Sequence, residues 1–231
     1  MAMSIAFVMK SFWWNFSGSR QLGYDLRRVE PYVLAFCVDA RGGVHRSVTP
    51  IYTNSPRQGR AQMTGTGHIF YGPGDPGGVL AFAIAVVESD EDIRRAGARI
   101  ETFFDAPDVK ATVKAASDLI VKAVATAGNA APVTAIVTGV ASLLEQSLKL
   151  VARAMKSNAD DIMWVNSGSF LADTGTPYQW GRRFEVGSAL EVDGKPAFGM
   201  EFEVLRTSDE LRQCIDQECK DRVRRLPTIV P

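Results

Sequence analysis

No aromatic residue occurs between Asp105 and Met163, although Phe, Tyr and Trp are scattered through nearly everything on either side. The gap is rich in Ala, Val, Thr and Lys, and its apolar residues recur at helical spacing. Both flanks read as short strands, with aromatic and β-branched residues between turn signals. A chain written this way constrains its fold to a β-rich body interrupted by two helices, and the interruption needs its own explanation.

The first helix, over about Asp108 to Ala127, places Val109, Val113, Ala116, Ile120 and Ala123 on one side. Lys110, Lys114, Asp118 and Lys122 fall four apart on another, where Asp118 can pair with either neighbouring lysine. Gly128 and Asn129 stop this helix, and Pro132 can open the next. The second helix, about Val133 to Ser157, carries Val133, Ile136, Val140, Leu144, Leu148, Val151 and Met155 along one stripe. At ~1.5 Å per residue it reaches roughly 40 Å, long for a piece of a compact sandwich. From Ala123 to Leu144 no residue is charged. An uncharged hairpin tip of this kind suits insertion into a bilayer or into a partner's groove. The contact residues are then Ala123, Val124, Val133, Ile136, Val137, Val140 and Leu144. The plainer alternative packs both stripes on the β body and on each other. Thr126, Thr134, Thr138 and Ser142, which leave the tip only moderately apolar, favour that alternative.

Outside the gap, strands are expected over Ser4 to Lys10, Tyr32 to Asp39, Val44 to Tyr52, His68 to Tyr71 and Val79 to Val87. Three more follow the helices: Ile162 to Leu171, Arg183 to Val192 and Ala197 to Leu205. In the last, Phe198, Met200, Phe202 and Val204 alternate with Gly199, Glu201 and Glu203, the period of a sheet with one wet face. Asn54 to Thr66 reads as a loop, Glu91 to Phe104 as a short helix, and Ser208 to Arg225 as a C-terminal helix ended by Pro227. Strands joined largely by turns favour an antiparallel β-sandwich over an alternating βαβ fold. The expected class is therefore mainly β (α+β). One domain spans residues 1–231, with the helical hairpin inserted at 106–158.

Lys+Arg and Asp+Glu balance at 26 each, so no global field favours nucleic acid. Lys220, Arg222, Arg224 and Arg225 form the only dense basic cluster, and Asp221 interrupts it. Cys37 lies in an apolar run, while Cys214 and Cys219 project from different sides of a helix, which suits neither a disulfide framework nor zinc. The first residues lack the early basic charge and small-residue cleavage site of a signal peptide, and no run of ~20 strongly apolar residues exists. A cytoplasmic location, or export without a cleavable signal, is expected.

Catalytic signals are thin. Gly72 to Gly77 fits G-x-G-x-x-G literally, but an apolar strand follows where a phosphate site needs a helix, so a hairpin loop is expected. His45 and His68 each sit in a strand, and no G-x-S-x-G elbow occurs. Trp13 and Trp14, with Phe12 and Phe16, form the densest aromatic group. If exposed, it suits a membrane interface, a carbohydrate or a protein surface; the alternative is a buried sandwich edge.

Acids gather at strand ends: Asp39 after one, Glu88, Asp90, Glu91 and Asp92 after another, and Asp160 and Asp161 before a third. Such carboxylates can converge on calcium or simply solvate loops and cap helices. The stretches AVVESDED and NADDIMWV resemble the loop acids of C2-type β-sandwich domains. That resemblance implies calcium and phospholipid headgroups as ligands, with Asp39, Glu88, Asp90, Asp92, Asp160 and Asp161 as metal ligands. The chain departs from that pattern in its inserted hairpin and in having no D-x-D spacing beyond Asp90-Glu91-Asp92. The expected function is non-enzymatic: binding of a membrane surface or protein partner, in its sharpest form membrane disruption through the hairpin. A homo-oligomeric assembly module is the alternative, and a hydrolase with its site at the strand ends a third.

Overall fold

A computed structural model describes residues 3–15, 29–52, 55–88, 102, 104–126, 133–156, 161–172 and 175–207. The strands are β1 (Ile5–Asn15), β2 (Pro31–Asp39), β3 (Val44–Val48), β4 (Gln58–Gln62), β5 (His68–Gly74) and β6 (Val79–Glu88). Two helices follow, α1 (Pro107–Thr126) and α2 (Val133–Lys156). The chain then returns through β7 (Asp161–Leu171), β8 (Arg183–Gly187), β9 (Glu191–Val192), β10 (Lys195–Pro196) and β11 (Phe198–Arg206). The helices expected over Glu91 to Phe104 and Ser208 to Arg225 lie outside the described residues, apart from Thr102 and Phe104.

Two antiparallel sheets pack face to face. One runs β4-β1-β11-β8, with β5 beside β1 on the same flank as β4; the other runs β3-β2-β6-β7. Between them lies an aromatic core centred on Phe7, whose ring is 5.0–5.3 Å from those of Phe70, Phe82, Phe170 and Phe202. The aromatic residues missing from the helices are concentrated here.

The helices form a third layer. Val109, Val113, Ala116 and Ile120 of α1 and Val140, Leu144, Leu148 and Val151 of α2 are buried in one cluster with the second face of β2 and β6. The four-stranded sheet is thus a middle layer, covered on both sides. Its central strand shows how: β6 turns Leu80, Phe82, Ile84 and Val86 toward the aromatic core and Ala81, Ala83 and Ala85 toward the helices. Large side chains fill the space between sheets, while small ones let the helices lie close. The helical segment is therefore folded onto the sheet from Val109 to Ile120 and from Val140 to Val151. It leaves the sheet after β6, folds back across it, and returns as the adjacent strand β7.

Three local expectations are corrected. Gln58 to Gln62, read as loop, is edge strand β4, pairing with Ser11 to Asn15; its polar composition conceals it. The Gly72 to Gly77 segment is no hairpin, because β5 pairs with β1 in one sheet and β6 with β2 and β7 in the other. The segment crosses between layers, with Gly72, Gly77 and Gly78 at positive φ. Arg183 to Val192 is not one strand but β8 and then the two-residue β9.

Candidate functional site

The helical pair outruns the sheet that holds it. The hydroxyl of Ser117 donates to the carbonyl of Gly42 in the β2–β3 turn (3.0 Å), and Val121 lies against the same glycine. α1 continues as helix to Thr126. α2 is level with it, Gly139 lying beside Leu119, although α2 begins at Val133. Five residues of α1 beyond Val121 and six of α2 before Gly139 therefore extend past the turn, at ~1.5 Å each. Lys122 is the one charge among them. Ala123, Val124, Val133, Ile136 and Val137 belong to this stretch, and their side chains lie outside the description. Val140 and Leu144, expected at a contact surface, are instead fully buried against the middle sheet.

The same end carries solvent-facing apolar side chains; the sequence reading raised Trp180, in the Tyr178-Gln179-Trp180 loop, and passed over the other two. Val121 is 40% exposed, Val44 39% and Trp180 39%. Val44 begins β3 beside the Gly42 turn, and Trp180 stacks near Arg206 at the matching end of β11, ring centroid to guanidinium 6.0 Å. The signal for Val121 was its place one residue off the buried stripe, next to Ile120. No described helix is long and apolar enough to cross a membrane.

Trp13 and Trp14 part company. A register shift between Met9 and Ser11 switches the alternation of β1. Ile5, Phe7 and Met9 face the core before it and Phe12 and Trp14 after it. Trp14 is buried and donates its indole N–H to the carbonyl of Pro56 at 2.9 Å. Trp13 faces outward over Gly199, with the guanidinium of Arg60 5.4 Å from its ring centroid. Phe16 lies outside the described residues.

The acids are divided by the length of a strand. Asp39 is opposite Leu80 at one end of β6, whereas Glu88 pairs in register with Asp161 at the other. Eight residues at ~3.3 Å put these groups about 26 Å apart, too far for one ion. Glu88 is buried, and the Asp161 side chain, like Asp90, Asp92 and Asp160 entirely, lies outside the description. Among the described residues no three His, Cys, Asp or Glu side chains come together in a metal-binding group. Asp39 shapes the β2–β3 turn: one carboxylate oxygen accepts from the N–H of Arg41 (2.9 Å) and of Gly43 (2.8 Å). The other is 3.5 Å from the Tyr71 hydroxyl and 3.6 Å from Nε2 of His45. Burial first, then the nearby carboxylates of Asp39 and Asp75, pushes the Tyr71 phenol far up, so it stays protonated. Burial does the same to the Cys37 thiol.

Ser47 and His68 meet at 2.7 Å, the spacing of a nucleophile and its base. The hydroxyl of Ser47 is also placed to donate to the carbonyl of Ile69 at 3.0 Å, and a proton given there is not given to the imidazole, whose role in the pair is set by its tautomer. The pair joins edge strand β3 of one sheet to edge strand β5 of the other. It closes one side of the sandwich.

Set against protein-family models, curated proteins and solved structures, the chain matches none.

Proposed function

We propose that this protein acts by contact, engaging a membrane surface through the end where its helices outrun the middle sheet. One observation carries the reading: an uncharged helical stretch, interrupted only by Lys122, continues beyond the β2–β3 turn beside the exposed Val121 and Val44. A stretch of this composition carries one charge to desolvate, and the exposed Val121 and Val44 beside it suit the interface between headgroups and acyl chains. Buried Val140 and Leu144 anchor the pair to the sheet. Membrane disruption would then need the pair to peel away or the tip alone to enter.

The test is co-sedimentation and dye leakage with vesicles of anionic and of zwitterionic lipid. Val121→Asp is expected to abolish binding without lowering the melting temperature by more than a few degrees, and Val137→Asp to abolish binding as well, read beside its melting curve. Val140→Asp is no probe of contact, because it places a charge in the core. If the unmutated protein neither sediments with vesicles nor releases dye, across lipid compositions and pH values, the reading fails.

An assembly module is the second reading, and β7 favours it. This eleven-residue strand is an edge of the middle sheet, with no strand on its outer side among the described residues. A stable lipid-free oligomer in light scattering, disrupted by proline in β7, would select it.

A further inference from the structure

The outer face of the β4-β1-β11-β8 sheet holds a groove of about 520 Å³ at the end opposite the helical tip. Trp13 is eight residues along β1 from Ile5, or about 26 Å at ~3.3 Å per residue. One cross-strand row builds the floor. Arg60 of β4 is opposite Trp13 of β1, Trp13 is opposite Gly199 of β11, and Gly199 is opposite Gly187 of β8. Two adjacent glycines let neighbouring side chains lie directly on the sheet there. The Trp13 ring covers Gly199, where a Cβ would collide with it, and Pro196 of the β9–β10 hairpin fills the space over Gly187. The result is a trough with an indole and guanidinium wall on one side and a proline wall on the other.

Three of its polar groups are available. Gln58, Glu185 and Lys195 line the groove, are exposed, and make no side-chain hydrogen bond or ion pair among the described residues. Arg60 is already engaged, donating to Ser11 Oγ (2.8 Å) and pairing with Glu201 (3.1 Å). Glu201 also receives Arg183 at 3.3 Å. The open charges, one carboxylate and one ammonium, cancel, so the groove selects neither an anion nor a cation. Its polar rim is wrong for a lipid chain. What suits it is a neutral ring with a C–H face for the indole and hydroxyls for the carboxylate, amide and ammonium.

We propose that this groove binds a neutral oligosaccharide. The proposal does not depend on membrane contact at the other end. The intact chain is applied to an array of neutral and acidic glycans, and the strongest neutral glycan is then titrated calorimetrically. Binding should weaken about fivefold in Glu185→Ala and in Gln58→Ala, the loss of one hydrogen bond each. It should be lost in Trp13→Ala and be unchanged in Trp180→Ala, at the far end. Because Trp13 packs on Gly199, its variant counts only beside a melting curve, and the two exposed polar variants carry the test if it unfolds. No retention of any neutral glycan at millimolar concentration, retention of acidic glycans alone, or a titration indifferent to Glu185 and Gln58 would each overturn the proposal.

Discussion

Gly199 shows how one residue sets a surface. A Cβ there would collide with Trp13 and approach the carbonyl of Val186 at 2.5 Å. Gly199→Ala is therefore expected to cost about 1–3 kcal/mol through overpacking, read from denaturant midpoints at constant slope. Asp105 acts through charge. It joins the layers, 3.0 Å from Arg46 of β3 and 3.2 Å from Lys110 of α1, and these partners hold its carboxyl below the usual range. A carboxyl with a lowered folded pKa stabilises above its unfolded value of about 4 and loses that contribution as pH falls through the folded value. Asp105→Asn should thus lower the melting temperature at pH 7, and the gap from the unmutated protein should close in acid. A gap independent of pH would remove the ion pair from the account.

At the scale of elements, α2 is held by burial. Val140, Leu144, Leu148 and Val151 are fully buried, spaced four, four and three residues apart. Leu144→Ala is expected to cost about 2–5 kcal/mol, because the lost methyl groups leave a cavity between helix and sheet. Alanine at the exposed Val121 should cost well under 1 kcal/mol. This contrast separates the part of the pair that packs from the end that outruns the sheet. The stripe itself was legible in the sequence, and so was the uncharged run. Which portion of that run is covered was not, since periodicity defines a face and says nothing of how far the opposing sheet extends. β4 escaped for a related reason: Gln-Gly-Arg-Ala-Gln carries no strand signal, and only the far half of β1 supplies its partner.

Over the whole molecule, the middle sheet makes the three layers interdependent. Its two faces are buried in two different clusters, so loss of the helices exposes the side of the sheet that carries Ala81, Ala83 and Ala85 together with Tyr32, Leu34 and Phe36. Helix ellipticity and tryptophan fluorescence should therefore report one coincident unfolding transition. Earlier loss of the helical signal would show a pair that detaches on its own, the behaviour a bilayer-inserting device needs. The third layer agrees with the reading that packs both apolar stripes on the β body, and the sequence held a second clue to it. β2 and β6 are apolar without a break, which is the pattern of strands covered on both faces.

What the sequence by itself determined is local: two long helices without aromatics, strands around them, a large–small alternation along β6, and a run without charge from Ala123 to Leu144. These follow from periodicity and side-chain size, which act over a few residues. The tertiary structure alone decided which sheet face the helices cover, that Asp39 and Glu88 sit at opposite ends of a strand, and that Trp13 and Trp14 face opposite ways. Each depends on a long-range register or on one inserted residue in β1, and pairing between segments far apart in the chain leaves no periodic trace in either of them.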